Sequence, residues 1–129
     1  MTTTNGVYGA NAMECLAKLE CGISDAPFKY IGLSENTSNP TGGQTFVSDE
    51  IASGGGERKE AIVSYEAPGT AVWTCTFAFS ESFAVSKVGV FDAPEGGNML
   101  LQGLLSSVKN VDDGDELTII VKDENIVAV

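Results

Sequence analysis

The chain has 129 residues, of which 43% are hydrophobic, and its 18 acidic and 7 basic side chains give a formal net charge of −11 at pH 7. This length predicts one domain with one core, and the hydrophobic content excludes a disordered chain. The acidic charge repels phosphate groups, so we expect neither nucleic acid nor a membrane surface as a partner.

The N-terminal segment 1–27 is predicted to form a polar extended arm and one short helix over about residues 12–21. Asn11 lies at the expected N-cap, Glu14 would complete a capping box with it, and Gly22 would end the helix. Four apolar residues share one helix face: Ala12, Cys15, Leu16 and Leu19. Because so short a helix is marginal alone, this face must pack on the chain's own sheet or on a neighbouring molecule. The segment therefore either caps the fold or anchors the protein to a partner.

From residue 28 onwards the hydrophobic period changes to two, which is typical of β-strands. Turns rich in Gly, Pro, Asn and Ser separate the predicted strands, which cover residues 28–34, 60–66, 71–80, 86–91, 99–105 and 116–122. Residues 46–51 fit either a helical turn or a short strand. The pattern predicts an all-β protein: a two-sheet antiparallel β-sandwich, jelly-roll-like, that occupies residues 28–129 and follows one short N-terminal helix.

The clearest alternation lies in residues 71–80. Four large or apolar side chains share one face of this strand: Trp73, Cys75, Phe77 and Phe79. We expect this face to line the core.

The segment 86–101 is predicted to form a central β-hairpin. Its second strand continues to Leu105 and is apolar on both faces, which suits a strand buried inside the sandwich or one covered by a partner subunit. We expect a homo-oligomer, either a dimer or a trimer. The candidate interaction surface combines residues of the helix and of this strand: Asn11, Met13, Leu16, Leu19, Met99, Leu101 and Leu104.

Several sequence features could hold a ligand, but each has a simpler structural interpretation. The segment 112–116 lacks the spacing of a calcium loop and fits a solvated turn. The segment 54–59 lacks the phosphate-loop pattern and fits a flexible connection. The three cysteines match no zinc or redox spacing and fit small buried residues. The sequence has no histidine, which is the commonest general base, so we expect no enzyme activity, no catalytic residues, no metal and no cofactor.

Six short motifs follow one another between residues 28 and 121. They are Tyr30-Ile31-Gly32-Leu33, Asn39-Pro40-Thr41-Gly42, Trp73-Thr74-Cys75-Thr76-Phe77, Val88-Gly89-Val90-Phe91-Asp92, Gly96-Gly97-Asn98-Met99-Leu100 and Gly114-Asp115-Glu116-Leu117-Thr118. This ordered set resembles a group of small tailed-bacteriophage virion proteins, variously labelled tail-fibre-like or capsid-associated. The resemblance implies a structural β-domain of the virion without an active site.

These observations lead us to expect a decoration or cement protein that binds the outside of a phage capsid, with the major capsid protein as its partner. The acidic charge disfavours the DNA-facing interior. One alternative is a tail-associated adaptor or tail-fibre-base protein with tail proteins as partners. Another is a carbohydrate-binding β-sandwich, which needs exposed aromatic side chains such as Tyr8, Tyr30 or Tyr65. The N-terminus lacks the pattern of a secretory signal, so we expect synthesis in the host cytoplasm.

Overall fold

The computed structural model of the chain describes residues 3–23, 27–67 and 69–124. Its elements in chain order are β1 (Thr3–Tyr8), α1 (Ala12–Glu20), β2 (Tyr30–Ser34), β3 (Lys59–Glu60), β4 (Ile62–Glu66), β5 (Thr70–Ala78), β6 (Phe83–Phe91), β7 (Met99–Val111) and β8 (Glu116–Glu124). The strands form a five-stranded sheet of order β1-β7-β6-β2-β3 and a three-stranded sheet of order β4-β5-β8. All the strand pairs are antiparallel. The predicted two-sheet antiparallel sandwich with one short helix is confirmed.

The core lies between the two sheets and uses the predicted face of β5. Trp73, Cys75 and Phe77 are 4%, 5% and 0% exposed and join one cluster with apolar residues of β6 and β8. The Trp73 indole N–H donates a hydrogen bond of 2.7 Å to the carbonyl oxygen of Phe28, just before β2. This bond connects the two sheets, because β5 and β2 belong to different ones.

Helix α1 begins after Asn11, as predicted, but the capping box does not form. The Asn11 side chain makes no capping hydrogen bond. The Glu14 carboxylate instead lies 3.1 Å from the Lys18 ammonium, one turn further along the helix. The predicted C-terminal stop is confirmed: Gly22 has a φ of +73°, and the amide of Ile23 donates to the carbonyl of Lys18, as in a Schellman motif.

The predicted extended arm is a strand of the larger sheet. β1 pairs with β7, from Thr3 opposite Leu105 to Tyr8 opposite Leu101. The Tyr8 hydroxyl also reaches β8, where it lies 2.8 and 3.0 Å from the two carboxylate oxygens of Asp123. Burial raises the pKa of this carboxyl above its ordinary value. The edges of the two sheets are therefore joined by a partly buried hydrogen bond.

Two further local predictions need correction. Residues 46–51 form neither helix nor strand, apart from an isolated bridge between Ser34 and Glu50. β7 continues to Val111 because its second half pairs with the start of β6. The last residues of the predicted sandwich, 125–129, lie outside the described residues. Within the described part of the chain, no helix has the length and hydropathy needed to cross a membrane.

The three cysteines occupy different environments. Cys75 is buried as predicted, Cys15 is half-buried, and Cys21 is exposed, which corrects the expectation of three buried residues. All three thiols are free. Burial raises the pKa of the Cys75 thiol, so this group is a small apolar core residue.

Candidate interaction surfaces

The helix residues of the predicted surface divide into packed and exposed ones. Leu16 and Leu19 are half-buried against the main core, next to Ala12, which is fully buried. Only Asn11 and Met13 of this set are exposed, and Met13 is 58% accessible. The apolar face of α1 therefore packs on the chain's own sandwich.

The strand residues of the predicted surface lie inside the subunit. Met99 and Leu101 are 2% and 4% exposed, and Leu104 is half-buried. Leu101 belongs to the main core, whereas Met99 lies on the opposite side of the sheet with Val47 and Phe91. Of the two alternatives for this strand, the structure shows the buried one, and no partner is needed to cover these two side chains.

A long connection, residues 35–58, covers the outer face of the five-stranded sheet; we call it the covering loop. Val47 from this loop packs against Phe91 and Met99. Gln44 accepts a hydrogen bond of 2.7 Å from Gln102. The loop covers apolar side chains on the outer face of the sheet, which explains why β7 carries apolar residues on both faces. The Oε1 atom of Gln102 is buried there without a hydrogen-bond partner among the described residues.

The covering loop also buries a lysine. Lys87 on β6 is fully buried, and its ammonium donates a hydrogen bond of 2.8 Å to the side-chain oxygen of Asn36. Burial lowers the pKa of Lys87, and the nearby Asp49 carboxylate opposes this shift. Asn36 also donates to Asp49 at 3.0 Å. The three side chains form a local network that fixes the start of the loop.

Two glycines explain part of the motif pattern. Gly32 on β2 lies directly opposite Gly89 on β6. A Cβ atom at either position would lie 2.9 Å from the Phe91 ring, and one at Gly89 would also lie 2.6 Å from Val47. The glycines thus leave the space in which the Phe91 ring lies against the sheet. The guanidinium of Arg58 lies over the same ring, 3.5 Å from the ring centroid.

Arg58 joins the covering loop to the hairpin turn that follows Phe91. Its Nε and Nη2 atoms donate to the two carboxylate oxygens of Glu50 at 2.9 and 2.7 Å. Its Nη1 atom donates to the carbonyl oxygens of Ala93 and Gly96, both at 2.9 Å. Four of the five guanidinium N–H groups are thereby used inside the subunit. We call Glu50, Arg58 and Phe91 the Arg58 cluster.

Sequence reasoning missed the Arg58 cluster. Arg58 is the only arginine of the chain, and this was the one feature of the sequence that could have pointed to it. Its partners are 8 to 38 residues away in the sequence, so no local pattern relates them. The cluster corrects the interpretation of residues 54–59 as a flexible connection, because Arg58 is anchored there by four hydrogen bonds.

An open cleft of about 620 Å³ lies beside the Arg58 cluster. Its lining consists of Glu50, Ile51, Ala52, Glu57, Arg58, Pro94, Glu95 and Gly96. Glu50 is bound by Arg58, and Glu57 accepts a hydrogen bond from the amide of Gly55. Among the described residues, no group of acidic or cysteine side chains is arranged to hold a metal ion. The polar groups of this cleft mainly stabilise its own walls.

The acidic segment before β8 is a turn. Gly114 has a φ of +91°, and the amide of Asp112 donates to the Asp115 carboxylate at 2.8 Å. The Asp112 carboxylate also accepts a hydrogen bond of 2.7 Å from Ser82. These contacts connect the turn to the start of β6.

Among the strand residues whose burial the structure describes, the most exposed apolar surface belongs to β4, at the edge of the smaller sheet. All five residues of β4 are exposed. Ile62, Val63 and Tyr65 have exposed fractions of 76%, 49% and 72%. We call these three residues the β4 surface. Sequence analysis recognised the strand but did not select it as a surface, because an alternating edge strand and an alternating central strand look alike in sequence.

The polar side chains of Lys87 and Arg58 thus bind partners inside the subunit, and apolar side chains of β4 are exposed. Residues 25–126, which include β2 to β8, match the family described as podophage GP4 fiber I protein gp80. The chain belongs to this family, and it is therefore a structural protein of a tailed-phage virion. The resemblance deduced from the six motifs is confirmed. Among curated proteins, none matches the chain.

Proposed function

We propose that this chain is a non-enzymatic subunit of the tail fibre, or of the fibre's attachment to the tail, in a tailed phage. The match of residues 25–126 to a family described as a fibre protein carries this proposal. It favours the tail-associated alternative over a decoration protein of the capsid. The partners would then be other tail proteins and further copies of the chain.

The internal organisation supports a structural role. The Arg58 cluster, the Lys87 network and the Tyr8–Asp123 hydrogen bond each join segments that are distant in sequence. Such bonds fix the covering loop and the sheet edges to the sandwich, so the subunit presents a defined surface to its neighbours. Catalysis and a cofactor have no part in this proposal.

The carbohydrate-binding alternative receives less support from the positions of the tyrosines. Tyr8 lies on β1 and Tyr30 on β2, and two strands separate them in the sheet, a distance of about 14 Å between strand axes. Both side chains are half-buried, and the ammonium of Lys29 lies over the Tyr30 ring. Tyr65 belongs to the other sheet. The three rings do not form one platform for a sugar.

The location in the virion tests the proposal. An epitope tag between Gly42 and Gly43 is suitable, since both residues are exposed and have open space around them. We expect gold-labelled antibody on the tail of purified particles and only a small number of copies relative to the major capsid protein. Labelling over the whole capsid with hundreds of copies would instead show a decoration protein.

A further inference from the structure

The β4 surface is an open sheet edge with apolar side chains. Within the described residues, β4 pairs with β5 and with no other strand. Val63 and Tyr65 lie opposite Trp73 and Ala71 and therefore share the core-facing side of the sheet, yet both are exposed. The core thus ends at β5, and β4 extends beyond it. Exposed apolar edge strands are sites of further strand pairing unless charges protect them.

The charges around β4 favour a second copy of this chain as the occupant. The chain carries a net charge of −11, so most surfaces of two copies repel each other. Residues 62–65 carry no charge. The two flanking acids are compensated: Glu60 lies 3.5 Å from the Lys29 ammonium, and Glu66 lies 3.1 Å from that of Lys122. Two copies can therefore meet at β4 without opposing unpaired like charges.

We propose that β4 pairs antiparallel with β4 of a second copy around a two-fold axis at Ser64. Ser64 is the midpoint of the strand, so this register gives the largest overlap. It places Val63 opposite Tyr65 of the second copy, and aromatic with β-branched pairs are favourable across strands. The two three-stranded sheets then form one continuous six-stranded sheet.

A two-fold arrangement fits the distribution of exposed residues better than a head-to-tail one. If β4 paired with the β8 edge of another copy, each contact would bury only one β4 surface. The copies would then form an open row, and the last copy of the row would still expose its β4 surface. The two-fold contact buries both β4 surfaces at once and closes. This inference depends on the fold and does not rest on a location in the tail fibre.

The first test compares the masses of three proteins in solution over a concentration series. Val63→Lys introduces a charge into the β4 surface. Val108→Lys is the matched control, because Val108 is a strand residue of the same type that is 46% exposed, against 49% for Val63. We expect wild type and Val108→Lys to have twice the subunit mass of 13.4 kDa and Val63→Lys to remain at 13.4 kDa. Near-ultraviolet circular dichroism checks that all three are folded.

Several outcomes would overturn the proposal. A wild type that stays monomeric at every soluble concentration lacks the contact. A trimer is incompatible with the two-fold axis. Equal masses for folded Val63→Lys and Val108→Lys would place the interface elsewhere.

A cross-linking experiment tests the register. In a Cys21→Ser background, which removes the exposed thiol, Ser64→Cys places two thiols opposite each other across the axis. Paired residues of antiparallel strands have Cα atoms about 4.5–5.5 Å apart, within the range that a disulfide spans. Ser107→Cys, exposed on β7, is the control. We expect a reducible covalent dimer with Ser64→Cys alone; equal cross-linking of both variants would contradict the register.

Discussion

The Arg58 cluster allows a direct test of what stabilises the covering loop. The change is Arg58→Met, which keeps much of the side-chain volume but removes the charge and four donated hydrogen bonds. The Arg58 and Glu50 side chains are 9% and 23% exposed, so the carboxylate is left without its partner in a largely desolvated position. Removing one partner of a buried pair lowers the free energy of unfolding by about 3–5 kcal/mol. This is a large share of the about 5–15 kcal/mol typical of a domain.

The assay is urea unfolding followed by the fluorescence of Trp73, the only tryptophan. Lys18→Met is the matched control, because it removes the exposed ion pair with Glu14, whose two side chains are 49% and 66% accessible and which lies away from β4. Exposed pairs contribute about 0–1 kcal/mol, so we expect the control to unfold close to wild type. The double variant Glu50→Gln/Arg58→Met should be more stable than Arg58→Met, because no charge is then left without a partner. If Arg58→Met unfolds at the same urea concentration as Lys18→Met, the cluster does not hold the loop.

Three further predictions concern the core, the glycine pair and the sheet edges. Trp73→Ala should lower the free energy of unfolding by about 3–5 kcal/mol, measured by thermal or urea unfolding with circular dichroism. A melting temperature within a degree or two of wild type would contradict the core position of Trp73. Gly89→Ala should lower the free energy of unfolding by about 1–3 kcal/mol, because the new Cβ atom would lie 2.6 Å from Val47. Gly42→Ala, whose Cβ atom would lie in open space, should change the free energy of unfolding little. If the two alanine variants unfold alike, the glycine is not required there. For Asp123, burial raises the native pKa above 3.8, so the native state binds a proton more tightly than the unfolded chain. The contribution of Asp123 to stability therefore falls as pH rises from 3.8 through that pKa. Asp123→Asn does not titrate, so its stability relative to wild type should increase over this pH range in urea unfolding, and a difference that stays constant with pH would refute the assignment.

The strands with a clear alternating pattern were predictable from the sequence. In β5 the residues that face the core and those that face outward alternate one by one, so the pattern by itself distinguishes the two faces. The buried Trp73 and Phe77 confirm that assignment. The antiparallel sandwich followed from the number of such strands and the turns between them.

Long-range pairing was not predictable in the same way. β1 has no strong alternation and becomes a strand because β7 offers it an open edge. β7 itself extends to Val111 because β6 lies beside it over that length. The Asn11 side chain had the right position for a cap, but the Glu14 carboxylate is engaged by Lys18. For β1 and β7, a partner that is distant in sequence and invisible to local patterns decides the outcome. The Glu14–Lys18 ion pair, in contrast, has the i,i+4 spacing that the sequence already shows.

The sequence by itself therefore determined the fold class, the core face of β5, the helix at residues 12–20 and the family to which the chain belongs. Each of these depends on residues that are close together in the chain or on ordered motifs. Only the tertiary structure decided that Met99 and Leu101 are buried within the subunit, that Arg58 holds the covering loop, and that β4 is the exposed edge. The physical reason is that burial and exposure depend on which segments meet in space. Val47, which packs against Met99, is distant from it in sequence, and no local pattern shows that the Tyr65 side chain stays exposed.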